Sequence, residues 1–144
     1  MGLDRSDHAT LVLWAAACAE HVLPYFEQEY PQDERPRKAV EAGRAWVRGE
    51  IGVSEARAAA SAAHAAAREA NEGAARAAAR AAGHAAAATH VPKHARHAAR
   101  YAVSAATFAA LPADAAAATA KERVWQNRYL PKQLRPIAFP RRGR

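Results

Sequence analysis

From Ala56 to Ala88 the chain carries no proline, and alanine is by far its commonest residue there. Alanine has the highest helix propensity and loses no side-chain entropy on ordering, so such a run is most readily ordered as helix. Unbroken, that helix would be about 50 Å long at 1.5 Å per residue, too long for one compact domain of this size. The only break signal inside it is Asn71-Glu72-Gly73. The run is therefore expected to fold as a helical hairpin, turning at that tripeptide.

Similar signals divide the rest of the chain. Ser6 or Asp7 can cap a first helix from about His8, in which Leu11, Trp14, Cys18 and Val22 recur at helical spacing. Pro24 kinks it, and Pro31 ends it. Asp33 can cap a second helix whose apolar face is Ala39, Ala42, Trp46 and Val47. Ser54-Glu55 supplies an N-cap and a first-turn acid for the alanine-rich hairpin. Thr89 to Pro92 makes the next turn, a helix follows from about Lys93 to Ala110, and Leu111-Pro112 ends it. Another helix, carrying Val124, Trp125 and Tyr129, runs to Leu130-Pro131. The expectation is an all-α fold, a compact bundle of antiparallel Ala-rich helical hairpins with about six helices, with Trp14 and Trp46 as core anchors. Residues 1–135 form its single domain and 136–144 an extended basic tail. A solenoid is the lesser alternative, because the Ala-Ala-His and Ala-Ala-Arg elements keep no fixed period.

Composition narrows partners more than chemistry. The formal charge of +7 is unevenly placed. Residues 1–72 hold 8 Lys and Arg against 12 Asp and Glu, whereas residues 73–144 hold 13 against 2. A basic second half suits an anionic partner, and an acidic first half could fold back on it or pair with another copy. One cysteine, Cys18, excludes an internal disulfide. The apolar stretch Leu11 to Ala19 lacks the basic leader of a signal peptide, and no apolar run is read as long enough to span a bilayer. A cytoplasmic protein with no membrane partner is expected. The amino terminus also fits a short myristoylation pattern, discounted because the Ala- and Arg-rich composition is that of a GC-rich bacterial chain.

Histidine and arginine punctuate the alanine-rich region. His94, His97 and Tyr101 fall on one helical face at i, i+3 and i+7, with His90 just before the turn. His64, Arg68 and Asn71 form a second stripe beside Glu69 and Glu72, and Arg76, Arg80, Gly83 and His84 a third. Arginines one turn apart can clamp a carboxylate or phosphate, and histidines can take up protons or hold a metal. No acid lies between Glu72 and Asp114 to complete a metal set, so neither metal nor cofactor is expected. The candidate binding residues are His64, Arg68, Arg76, Arg80, His84, His94, His97 and Tyr101.

Nothing in the chain pairs a nucleophile with an oriented base, or two carboxylates, or forms a glycine-rich phosphate loop. The expectation is a protein that is not an enzyme. Lys121, Arg123, Arg128, Lys132 and Arg135 interleave with Trp125 and Tyr129 in a pattern that can hold phosphate and stack bases. It equally describes a helix with Trp125 packed inward.

Several blocks carry a family resemblance: Leu13-Trp14-Ala15-Ala16-Ala17-Cys18-Ala19-Glu20-His21-Val22-Leu23-Pro24, then Arg35-Pro36-Arg37 with Ala39 to Trp46, and Arg48-Gly49-Glu50-Ile51. They continue with Ala63 to Ala70, Gly83-His84 through His90, Trp125-Gln126 and Leu130-Pro131. Over nearly its whole length the chain resembles the Imm-5-like proteins, small α-helical bacterial proteins grouped with toxin-neutralising partners. The resemblance implies self-protection by stoichiometric binding of a cognate protein toxin. Against that stand sequestration of a small anionic molecule and nucleic-acid binding.

Overall fold

The computed structural model describes residues 3–140. Eight α-helices account for most of them: α1 (Arg5–Val22), α2 (Pro24–Glu27), α3 (Arg35–Val47), α4 (Val53–Glu69), α5 (Ala74–Ala87), α6 (His94–Ala109), α7 (Ala115–Arg128) and α8 (Arg135–Ala138). Six are long and two are single turns, with short 3-10 turns at Pro112–Asp114 and Lys132–Leu134. There is no strand among the described residues.

The expected hairpin is present. α4 ends at Glu69 and α5 begins at Ala74, with Gly73 at φ +118°, a conformation that residues bearing a Cβ rarely adopt. Some boundaries differ from the sequence reading. The first helix starts at Arg5 and is capped by Asp4, whose Oδ1 accepts from the Asp7 N–H at 2.7 Å; Ser6 and Asp7 lie inside it. α4 starts one residue before Ser54. Its cap is Gly52, whose N–H donates to Glu55 Oε1 at 3.2 Å, so Glu55 does the work expected of Ser54.

α5 is the centre of the molecule, in contact with α1, α2, α3, α4 and α6. Such a helix can approach its neighbours closely only if its surface is nearly flat. Ala75, Ala77, Ala78, Ala79, Ala81, Ala82, Ala85 and Ala86 are all buried on it. Its partly open side chains after the first residue are Arg76, Arg80, His84 and Ala87, one stripe at i, i+4, i+8 and i+11. The core helix thus reaches solvent along a single line.

Bulk comes from α1 and the carboxyl-terminal elements. Trp14 is 3% exposed, and its Nε1–H donates to the Gln126 carbonyl at 2.8 Å. Phe139 meets its ring edge-on, centroids 5.6 Å apart. Trp46, read as a second anchor, is only half-buried and packs on the rim against His8. The inward positions of α7 are polar. Glu122 and Gln126 are buried, while Val124 is exposed and Trp125 half-buried. Gln126 Nε2 donates to the Ala99 carbonyl at 2.8 Å, and Thr107 and Thr119 pair their hydroxyls between α6 and α7.

Two further expectations change. Of the stretch read as an extended tail, residues 136–138 instead belong to α8, with Ala138 buried and Ile137 and Phe139 packed on the core; Arg141–Arg144 lie outside the described residues. The α1–α2 segment, Arg5–Glu27, is long and apolar enough to cross a membrane by length and composition, contrary to the sequence reading. Here it is a core element, with Leu11, Val12, Cys18, Val22, Leu23 and Phe26 buried against the bundle.

A histidine and arginine cleft across α4, α5 and α6

The open stripe of α5 is flanked by two others. α4 contributes His64 and Arg68, and α6 contributes His94, His97, Tyr101 and Ser104. Three adjoining clefts result. One of about 410 Å³ is lined by His84, His94, His97, Arg100, Tyr101 and Ser104. A second, sharing Tyr101 and Ser104, extends over Arg76, Arg80 and Phe108. The third, sharing Arg80 and His84, reaches Ser61, His64 and Arg68. The three i-spaced stripes read from the sequence are therefore one surface, and all eight candidate residues lie on it.

His84 is its hub. Its ring lies 4.8 Å from His64, 5.1 Å from His94, 5.2 Å from His97 and 5.2 Å from Tyr101, centroid to centroid, and is nearly parallel to Tyr101 at 8°. His84 Nδ1 and His94 Nδ1 are 2.9 Å apart, so one donates and the other accepts. Arg80 reaches His64 Nδ1 at 3.3 Å. Gly83 makes room for this: a Cβ there would stand 2.7 Å from the His64 ring. The helical spacing gives no sign of that role.

Electrostatics hold the histidines neutral. Burial, then repulsion from His64, His94, His97 and Arg80, brings His84 down to about 3. His64 is lowered by burial and then by Arg80, His94 by burial and then by His97, and His97 by burial and then by Arg96 and Arg100. Each is the cost of placing positive charge where no negative charge answers it. Among the described residues, no group of three or more His, Cys, Asp or Glu side chains is arranged to hold a metal ion.

The contrast with the first half of the chain is sharp. Arg35 binds Asp33 and Glu69, Arg37 binds Glu20 and Glu27, Arg44 binds Glu20 and Glu41, and Arg48 binds Glu50. Glu20, Glu27, Asp33, Glu41, Glu50 and Glu69 are thus engaged by arginines of that same half. Around the cleft, Arg68, Arg80 and Arg100 form no ion pair with any described carboxylate, and Glu72 meets only Arg76, at 3.5 Å.

Not every predicted residue serves the cleft alone. Arg76 turns its Nη2–H onto the Ala70 carbonyl at 2.7 Å, tying the end of α4 to the start of α5, and its Nε is buried without a partner. Glu69 is taken by Arg35. The Asn71 backbone N–H donates to the Tyr30 hydroxyl at 2.8 Å. His90 is exposed on the preceding turn and lines none of the three clefts. Arg100 and Ser104 were missed, although they continue the α6 face at i+3 and i+7 from His97. Phe108, 64% exposed, lies at one end of that face, and Leu111, 71% exposed, follows the end of α6.

On α7, Trp125 stacks on His21 at 3.8 Å and 8°, and His21 Nδ1 bonds Glu122 Oε2 at 2.8 Å. Of the two aromatics that a nucleic-acid reading would use for base stacking, Trp125 is thus already stacked on His21, while Tyr129 is exposed. Cys18 is fully buried, and burial raises its thiol well above the usual range, with Glu122 adding to it.

Fold and cleft together define a class: an α-helical bundle, closely packed on alanine, with an open cationic surface over its central helix. The chain belongs to the family described as Imm-5 like putative immunity protein, whose family model matches residues 1–133. No curated protein and no solved structure matches it.

Proposed function

We propose that this protein protects its producer by binding a protein toxin stoichiometrically, through the face formed by α4, α5 and α6, and that it acts by occlusion and not by catalysis. Membership of a family described as immunity proteins supports the partner class. The observation that carries the choice of face is that Arg68, Arg80 and Arg100 meet no described carboxylate there, whereas Arg35, Arg37, Arg44 and Arg48 each hold one or two. Uncompensated guanidinium groups beside exposed Tyr101 and Phe108 match the arginine and aromatic anchors that dominate binding energy at interfaces. A partner bringing carboxylates would gain charge-assisted hydrogen bonds there.

The test is a pull-down against the product of a neighbouring toxin gene. A one-to-one complex is expected. Replacing Arg80 and Arg100 together by alanine should weaken it roughly thirtyfold, corresponding to about 2 kcal/mol, with helicity unchanged. Arg76 is a poorer probe, because its bond to Ala70 is structural. An unaltered affinity in the Arg80 and Arg100 variant would remove this face from the interface.

A further inference from the structure

The centre of the cleft holds four imidazoles and no acid. From α4 it is faced by His64 and Arg68, and from α5 by Arg80 and His84, with Arg76 toward the Phe108 end. From α6 come His94, His97, Arg100 and Tyr101, and Lys93 and His90 approach from the turn before it. Of the carboxylates near it, Glu72 lines the Phe108 end beside Arg76, and Glu69, next to Arg68, is held by Arg35. A histidine cluster serving only as core packing would be expected to give its ring nitrogens fixed partners, as His21 has in Glu122 and His8 in the Ala88 carbonyl at 2.7 Å. Here the ring partners are one another and Arg80, and the cleft stays open.

The His84 to His94 contact decides what can enter. At 2.9 Å between Nδ1 atoms, one ring must lack a proton there. If both are protonated, two N–H groups face each other and the contact cannot stand. An oxyanion between them resolves this, since each N–H then donates to an oxygen; Arg100 lines the same cleft, and Arg80 lines the adjoining one that shares His84.

We propose that the cleft between α5 and α6 is a receptor for a multiply charged oxyanion, carboxylate or phosphate in chemistry, and that the anion arrives with uptake of protons by the histidine cluster. Negative charge removes the repulsion and part of the burial cost that keep these rings neutral. Affinity therefore rises as pH falls through the range where imidazoles titrate. The cleft volume, about 410 Å³, is within the range of small-ligand sites, and it is also open enough for acidic side chains of a docked protein. The inference deepens the proposed function, naming what the partner brings to the same face, but its test does not need the toxin.

The probes are pyrophosphate, for a free anion, and a hexaglutamate peptide, for protein carboxylates, titrated calorimetrically into the full chain at pH 7.5 and 5.5. Uptake of one proton should tighten binding by about tenfold or more over that interval, with heats that depend on buffer ionisation enthalpy. Whichever probe binds tighter identifies the source. In the doubly substituted His94→Gln, His97→Gln protein, both positions near the surface, the pH dependence should shrink while the arginines keep residual affinity. Lys121→Ala with Arg128→Ala, exposed on α7, should change nothing. Failure of both probes to bind at pH 5.5 overturns the proposal. So does a pH dependence that survives loss of His94 and His97, or equal weakening by the α7 changes. A toxin complex formed elsewhere on the protein would sink the proposed face while leaving these titrations unaffected.

Discussion

Gly83→Ala is the most informative single change, because its effect depends on one neighbour. The added Cβ would lie 2.7 to 2.9 Å from the His64 ring atoms, where ordinary contact is 3.4–4 Å. The three atoms nearest to it all belong to that ring. In a helix interior the substitution by itself gains about 1 kcal/mol from propensity. Against that, overpacking costs about 1 to 3 kcal/mol, or the ring swings away and loses Arg80 and the edge of His84. The single variant should therefore be neutral to about 2 kcal/mol less stable. With His64 already replaced by alanine the obstacle is gone, and the same Gly83→Ala change should stabilise by about 1 kcal/mol. Urea denaturation followed by circular dichroism at pH 7.5, where the cluster is neutral, measures all four proteins. The predicted coupling is at least about 1 kcal/mol, worth about 2–4 °C in Tm for a chain of this size. Equal effects in the two backgrounds, within about 0.5 kcal/mol, would mean that His64 does not lie over Gly83 and that the cleft is built differently.

Acid should expose the histidine cluster. An unfolded histidine takes its proton near pH 6.5, whereas His84 in the fold resists until about 3, so the unfolded state binds more protons between these values. The cluster is harmless above pH 6.5, and stability falls as pH drops below it. Urea midpoints from pH 7.5 to 5 should show this fall, flattened by His84→Gln. Below pH 5, protonation of Glu20 and Asp33, both held low by their arginines, adds a separate loss. Arg76→Ala should cost about 1 kcal/mol through the lost bond to Ala70, while Arg80→Ala stays within about 0.5 kcal/mol; the two denaturation curves distinguish a tether from a binding residue. Cys18, fully buried with a raised thiol, should react with a thiol reagent only as fast as the fold opens, and guanidinium should release it.

The parts of the site legible in the sequence were those repeated along one helix. His94, His97 and Tyr101 share a face by spacing alone, as do Arg76, Arg80 and His84, and Arg100 and Ser104 could have been added by the same rule. The role of Gly83 was not legible. Its requirement comes from a side chain nineteen residues earlier, on another helix. The polar inner face of α7 was hidden for a similar reason, since Glu122 and Gln126 are buried because His21 and the Ala99 carbonyl receive them.

Alanine by itself determined that the middle of the chain would be helical, and Asn71-Glu72-Gly73 and Thr89 to Pro92 determined where it would turn, because propensity and breakers act within a few residues. Which alanine helix became the centre was decided only by tertiary packing. α5 is flat enough to be enclosed by five neighbours, and the single stripe of large polar side chains it carries could be accommodated only at the edge they leave uncovered. That enclosure brings the three stripes together into one cleft. It also leaves Arg68, Arg80 and Arg100 without a carboxylate partner among the described residues.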